Sequence, residues 1–153
     1  MNRFARLYQQ LDQASGTKAR EEALRAYFAH VESAEASWAI YVLADGKINA
    51  GKNRIASTTE LRLRLSDLLK LPDWMVDDCY RQVGDLAETL ALLVEAGHRR
   101  IEVAMPIPTG TVPWSLPASD GTLQQWVEDF LLPLVQESTE LRRHAIQAAW
   151  LQL

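Results

Sequence analysis

Apolar positions recur along this chain at the three-to-four-residue spacing of amphipathic helices and almost nowhere with the alternation of a half-buried strand. From Asn2 to Ala14, Phe4, Leu7, Tyr8 and Leu11 make one stripe, closed by Ser15-Gly16. Thr17 is a candidate cap for a second helix reaching about Val31, with Ala23, Leu24, Tyr27, Phe28 and Val31 inward. Ser33 opens a third, in which Trp38, Ile40, Tyr41, Val42 and Leu43 are apolar nearly all round. That pattern belongs to a central helix. A strand at Trp38–Leu43 is the lesser reading, for want of a partner strand.

Ala44-Asp45-Gly46 breaks the periodicity, and residues 47–56 read as a polar, basic loop. Ser57-Thr58-Thr59-Glu60 has the form of a capping box, followed by Leu61, Leu65, Leu68 and Leu69. Arg62 and Arg64 are expected off that apolar stripe, facing solvent or a ligand. Leu71-Pro72 stops the helix, and Asp73 is a candidate cap for a fifth, with Trp74, Val76, Cys79, Tyr80 and Val83 as core positions. Then comes Val83-Gly84-Asp85-Leu86-Ala87-Glu88-Thr89, where one helix ends and the next begins almost at once. Gly84 supplies a left-handed C-terminal residue, and Asp85 with Glu88 forms an Asp-x-x-Glu box. Leu86, Leu90, Leu93 and Val94 carry the sixth helix to Gly97.

Between His98 and Gly121 four prolines (Pro106, Pro108, Pro113 and Pro117) exclude a continuous helix. Ile101–Met105 reads as a short extended piece, and Trp114 as the residue pinning this loop to the body. Thr122 caps a helix with Leu123, Trp126, Val127, Phe130 and Leu131 inward, kinked by Pro133. Ser138 or Thr139 starts the last helix, with Leu141, Ala145, Ile146, Ala149 and Trp150 inward. About eight helices, no convincing sheet and no internal repeat give an all-α class: an irregular bundle with one long Pro-rich loop, residues 98–121, in a single domain.

Composition narrows the function without naming it. Hydrophobic residues are 48% and charged residues 24%, the balance of a folded globular protein. No apolar run approaches a membrane span, and Asn2-Arg3-Phe4 opens an amphipathic helix, so a cytoplasmic protein is expected. A lone cysteine, Cys79, excludes an internal disulfide, and His30, His98 and His144 have no zinc-site spacing. The net charge of −4 is unevenly spread. From Gly46 to Leu71, Lys47, Lys52, Arg54, Arg62, Arg64 and Lys70 face only Glu60 and Asp67, a net +4 that leaves −8 elsewhere. A gathered basic segment in an acidic chain is compatible with nucleic acid, although such runs are more often solvated faces.

Catalytic chemistry is missing. There is no glycine-rich phosphate loop. Asp77 and Asp78 are adjacent on a helix and diverge by about 100°, so they cannot pinch one metal ion. Cys79 lies on an apolar stripe, and the tryptophans recur at core spacing. The Gly84-Asp85 junction is the feature best suited to a ligand, because it turns backbone N–H groups outward at a fixed place, as a phosphate requires. A tight corner without a ligand is the other reading.

Several of these pieces occur in one order. Phe4-x-x-Leu7, Ala34-x-x-x-Trp38-Ala39-x-Tyr41, Leu71-Pro72-x-Trp74, Cys79-Tyr80, Val83–Thr89 and Trp126-x-x-x-x-Leu131-Leu132-Pro133-Leu134 together resemble the N-terminal DNA-binding domain of ATP-dependent DNA ligases, in particular the bacterial type associated with helicase and nuclease genes. The resemblance spans essentially the whole chain and implies an all-helical module that grips nicked duplex DNA across the minor groove, in repair, replication or recombination. Its partners would be duplex DNA and the remaining ligase domains, with the module itself a monomer. It puts the corner at Gly84 and Asp85 near the DNA, and the family's basic loop onto Lys47, Lys52 and Arg54. Because Asp85 and Glu88 repel phosphate, contact is expected through backbone N–H groups and the Thr89 hydroxyl. The departures matter equally. None of the lysines Lys18, Lys47, Lys52 and Lys70 starts a Lys-x-Asp-Gly adenylation motif, so this chain alone is expected to be inactive, with ATP and magnesium needed only by an absent catalytic domain. The family domain continues through further helices beyond the equivalent of Leu153. A helical protein-interaction module without DNA binding is the competing hypothesis.

Overall fold

The computed structural model describes residues 2–44, 46, 48, 55–97 and 114–152, and among these all regular structure is helical. Six helices come first: α1 (Asn2–Gln13), α2 (Thr17–Phe28), α3 (Ser33–Leu43), α4 (Thr58–Leu69), α5 (Asp73–Val83) and α6 (Leu86–Gly97). The α7 helix runs from Leu123–Gln125 through a π-helical stretch, Trp126–Leu131, into Leu132–Leu134, and α8 is Thr139–Gln152. The all-α expectation holds, including the helical reading of Trp38–Leu43.

Burial falls into three neighbouring clusters. Phe4 and Leu7 of α1, Tyr27 of α2 and Ala39 of α3 pack with Leu123 and Val127 of α7. Trp114, Trp126, Phe130 and Leu134 pack with Ala145 and Ala149 of α8. Leu65 and Leu69 of α4, Val76 of α5 and Leu90 of α6 form the third, touched by Trp150 of α8. Thus α7 and α8 join an N-terminal helix trio to the α4–α6 trio. Trp114 is 7% exposed and stands edge-on to Phe130, so it does pin the segment that follows residue 113.

The join between α3 and α7 is polar. Glu35, only 7% exposed, accepts the N–H groups of Leu123 (3.1 Å) and Gln124 (2.8 Å) and the hydroxyl of Tyr27 (3.2 Å). A carboxylate from one helix therefore caps the N-terminus of another, where orphan donors and the helix dipole favour negative charge. Thr122 and Gln125 complete a capping box at the same end. Outside it, Trp38 Nε1 donates to Glu128 at 2.7 Å. Hydrogen bonds from Trp38 and Gln124 hold the Glu128 carboxyl below its usual range.

The π-helical stretch has a cause in Pro133. Proline brings no N–H for the carbonyl of Asp129, four residues earlier. Leu132 N–H instead reaches Val127 O, and the Asp129 carbonyl accepts Ser115 N–H at 3.0 Å.

Several sequence expectations need correction. Gly16, not Thr17, precedes α2, and Pro72, not Asp73, precedes α5, so Thr17 and Asp73 are first-turn residues with no capping bond. Tyr8 (62%), Trp74 (63%) and Val83 (38%) are exposed, not core. The α3 helix is not central: it packs one side on α7 and leaves Ile40 and Tyr41 exposed. The expected piece at Ile101–Met105 lies outside the described residues.

Candidate nucleic-acid interface

The Gly84 turn and the Asp85 cap of the α5–α6 corner form as their residue types require, whereas among the described residues Glu88 returns no bond to the Asp85 N–H, so the expected box is half made. Gly84 closes α5 at φ 83°, its N–H on Tyr80 O at 2.8 Å. A side chain there would meet nothing within 4 Å, so conformation and not space demands glycine. Asp85 Oδ1 accepts Glu88 N–H at 2.8 Å, and Asp85 O accepts Thr89 N–H at 3.1 Å. Arg81 through Asp85 are all exposed. The N–H groups of Leu86 and Ala87, in the first turn of α6, have no intrahelical acceptor by geometry. Arg81, three residues before Gly84, adds a cation paired with Asp78 at 2.7 Å, with 72% of its side chain exposed. Arg81 is not part of the basic run of residues 47–70; its signal in the sequence is its place in the last turn before a Gly-Asp corner.

Two candidate contacts are withdrawn from the surface. Thr89 is 1% exposed, and its hydroxyl donates to Asp85 O at 2.6 Å. Positions 86, 89, 90 and 93 share one helical face, so Thr89 rides inward with the leucines. The expectation of a Thr89 hydroxyl on phosphate is corrected accordingly. Arg64 is 5% exposed, against the expectation that it faces solvent. The same geometry explains it: 61, 64, 65 and 68 lie on one face, and Arg64 is part of the stripe it was expected to avoid.

Burial pushes the Arg64 guanidinium below its ordinary pKa, Glu60 at 3.8 Å supports the charge, and Arg143 and Arg142 of α8 oppose it. Gln147 of α8 reaches Arg64 O at 3.4 Å, and Arg143 pairs with Asp67 of α4. These contacts make Arg64 a part of the α4–α8 seam. Arg62 stays half-buried on the surface, paired with Asp77 at 2.6 Å and lying 5.5 Å over the Tyr80 ring. It braces α4 against α5, over Tyr80 in the turn that precedes Gly84. Lys47, Lys52 and Arg54 lie outside the described residues.

The structure thus places Gly84, Asp85 and Arg81 at one exposed corner, buries Thr89 beneath it on Asp85 O, and puts Arg64 in the α4–α8 seam. Among the described residues no group of three or more His, Cys, Asp or Glu side chains could hold a metal ion, and no helix is long and apolar enough to cross a membrane. What the corner can do chemically is bind a phosphate oxygen on backbone N–H groups, with the exposed Arg81 guanidinium one turn before it.

Comparison with known families matches the model for the DNA ligase N terminus over residues 1–153. No curated protein and no solved structure matches the chain.

Proposed function

We propose, since the chain belongs to the N-terminal domain family of ATP-dependent DNA ligases, that it binds duplex DNA without sequence preference and steadies a nick for the ligase's catalytic domains. The observation that carries this reading is the family match over all 153 residues. The exposed Gly84-Asp85 corner supports it with a place for phosphate: Leu86 and Ala87 N–H groups as donors, Arg81 as a nearby cation, and Asp85 as the cap that fixes them. Lys47, Lys52, Arg54 and Arg62 are the further cations proposed to meet the backbone. Contacts to phosphate position a protein without reading bases, which suits a substrate defined by a break and not by a sequence.

Titration of a fluorescent nicked duplex at several salt concentrations tests the proposal. Each neutralised phosphate contributes about −0.9 to the log–log salt slope, so a slope of a few units is expected. Arg81→Glu, and Lys52→Glu with Arg54→Glu, should weaken binding at every sequence alike. Absence of binding at low salt, or indifference to all three reversals, sinks the reading and favours a protein-interaction module.

A further inference from the structure

A cavity of about 200 Å³ opens between α1 and α2, well away in sequence from the corner described above. Leu7 and Tyr27, both buried, and half-buried Val31 make its apolar floor. Arg3, Arg6 and His30, all exposed, stand on its rim. Arg3 Nη1 donates across the groove to His30 O at 3.3 Å, which holds the guanidinium over the floor. His30 Nδ1 lies 2.8 Å from Ala26 O. A carbonyl only accepts, so Nδ1 carries the proton and the ring adds a further polar edge to the rim.

The two arginines are poorly placed for α1 itself. They are like charges at i and i+3, close to the positive end of the helix dipole, and the first turn of α1 has no acid. Among the described residues neither Arg3 nor Arg6 forms an ion pair, although the chain as a whole is at −4. Positive charge has been concentrated beside apolar surface; the Arg3 bond to His30 O offsets part of this, whereas Arg6 makes neither an ion pair nor a side-chain hydrogen bond among the described residues. Local rules broken without internal compensation mark functional positions.

We propose that the α1–α2 groove docks an acidic peptide segment of a partner protein, with one apolar side chain seated on Leu7, Tyr27 and Val31 and flanking carboxylates paired to Arg3 and Arg6. Charge complementarity selects the acid, and the floor selects the anchor. At about 200 Å³ the cavity is smaller than the roughly 300–1,000 Å³ of pockets that enclose small molecules, and suits a side chain better than a nucleotide. A DNA backbone would meet the arginines but has no aliphatic group to fill the floor. This proposal goes beyond duplex binding and does not depend on it.

The test is fluorescence anisotropy with a labelled peptide carrying a central Leu-Phe pair between runs of Glu, beside two controls: Lys in place of Glu, and Ser-Ser in place of Leu-Phe. The acidic apolar peptide should bind with a Kd on the order of 100 μM or tighter, and both controls at least about tenfold more weakly. Arg3→Glu with Arg6→Glu should weaken the first peptide by about tenfold while leaving nicked-duplex affinity within about twofold. Should that variant lose native circular dichroism, Arg6→Gln takes its place with the same readouts. Equal binding of all three peptides overturns the proposal, as does a folded variant with unchanged peptide affinity. A parallel loss of duplex binding assigns the groove to DNA and overturns it too.

Discussion

Replacing Glu35 by Ala removes one carboxylate and strands three donors: the N–H groups of Leu123 and Gln124 and the hydroxyl of Tyr27. Leu123 and Tyr27 are buried, at 5% and 8% exposure, so water cannot readily replace the lost acceptor. Hydrogen bonds to a charged group contribute about 1.5–3 kcal/mol each, and a stranded buried donor costs about 1–3 kcal/mol. These terms overlap and are not additive. A loss of about 3–5 kcal/mol is therefore expected, a large share of the roughly 5–15 kcal/mol that holds a domain folded. At about 2–4 °C per kcal/mol for a chain of this size, Tm should fall by at least about 6 °C. Glu35→Gln keeps one accepting oxygen but turns an amide N–H₂ towards a donor, and should fall between wild type and Ala. Tyr27→Phe should cost only about 1 kcal/mol, since the ring still packs on Phe4 and Phe28. In wild type the Tyr27 pKa is pushed far above the ordinary tyrosine value by burial first, then by the Glu35 charge and hydrogen bond, against a smaller opposing pull from Arg3. Urea and thermal unfolding followed by circular dichroism measure all three variants. A Glu35→Ala loss under about 1 kcal/mol would show that this buried carboxylate is a bystander, not the cap joining α3 to α7.

Other outcomes follow from features already described. Gly84→Ala should cost about 1–2 kcal/mol through its left-handed conformation alone, and Gly84→Val more, whereas Asp85→Asn should keep the cap and duplex binding; unfolding midpoints decide. Arg64→Met should leave stability within about 1 kcal/mol and duplex affinity unchanged, because the apolar stem fills the α4–α8 seam without a buried charge; a sharp loss of DNA binding would return Arg64 to the interface. Hydrogen bonds from the Ser57 backbone, then its side chain, hold the Glu60 carboxyl below its usual range. With its folded pKa depressed, Glu60 stabilises α4 above the unfolded value of about 4.3, and that contribution disappears as pH falls through the lower folded value. Urea midpoints across this window should depend less on pH in Glu60→Gln, which retains the capping-box geometry.

Legibility in the sequence tracked how local each determinant is. Ser57 and Glu60 cap α4, Gly84 and Asp85 make the corner, and Ser138 Oγ accepts Leu141 N–H at 3.3 Å, each as its neighbours dictate. Arg64 and Thr89 are polar by type, which points them to solvent, but angular position puts both on the leucine face of their helices. The exposure of Ile40, Tyr41 and Trp74 was beyond the local pattern, since hydropathy says that a face is apolar but not whether another helix covers it. Glu35 was invisible for a related reason. Its three partners come from positions 27, 123 and 124, and no periodicity links an acid on α3 to donors that far along the chain. At the candidate interface, the corner can be read from the seven residues Val83–Thr89, whereas Arg81 stands alone beside the denser basic run of residues 47–70.

The missing N–H of Pro133 has a consequence for how this protein assembles. Inside most helices every carbonyl finds its donor within the same segment, so the helix can begin to form before anything docks on it. Here the carbonyl of Asp129 is completed by Ser115, fourteen positions earlier, next to Trp114 on the same hydrophobic cluster. The middle of α7 is therefore finished only when residues 114–116 arrive, which makes segment and helix one cooperative unit. Amide hydrogen exchange should show it directly: Ser115 and the amides of Val127–Leu132 should open together, and a Ser115 amide that exchanges orders of magnitude faster than that stretch would separate them again.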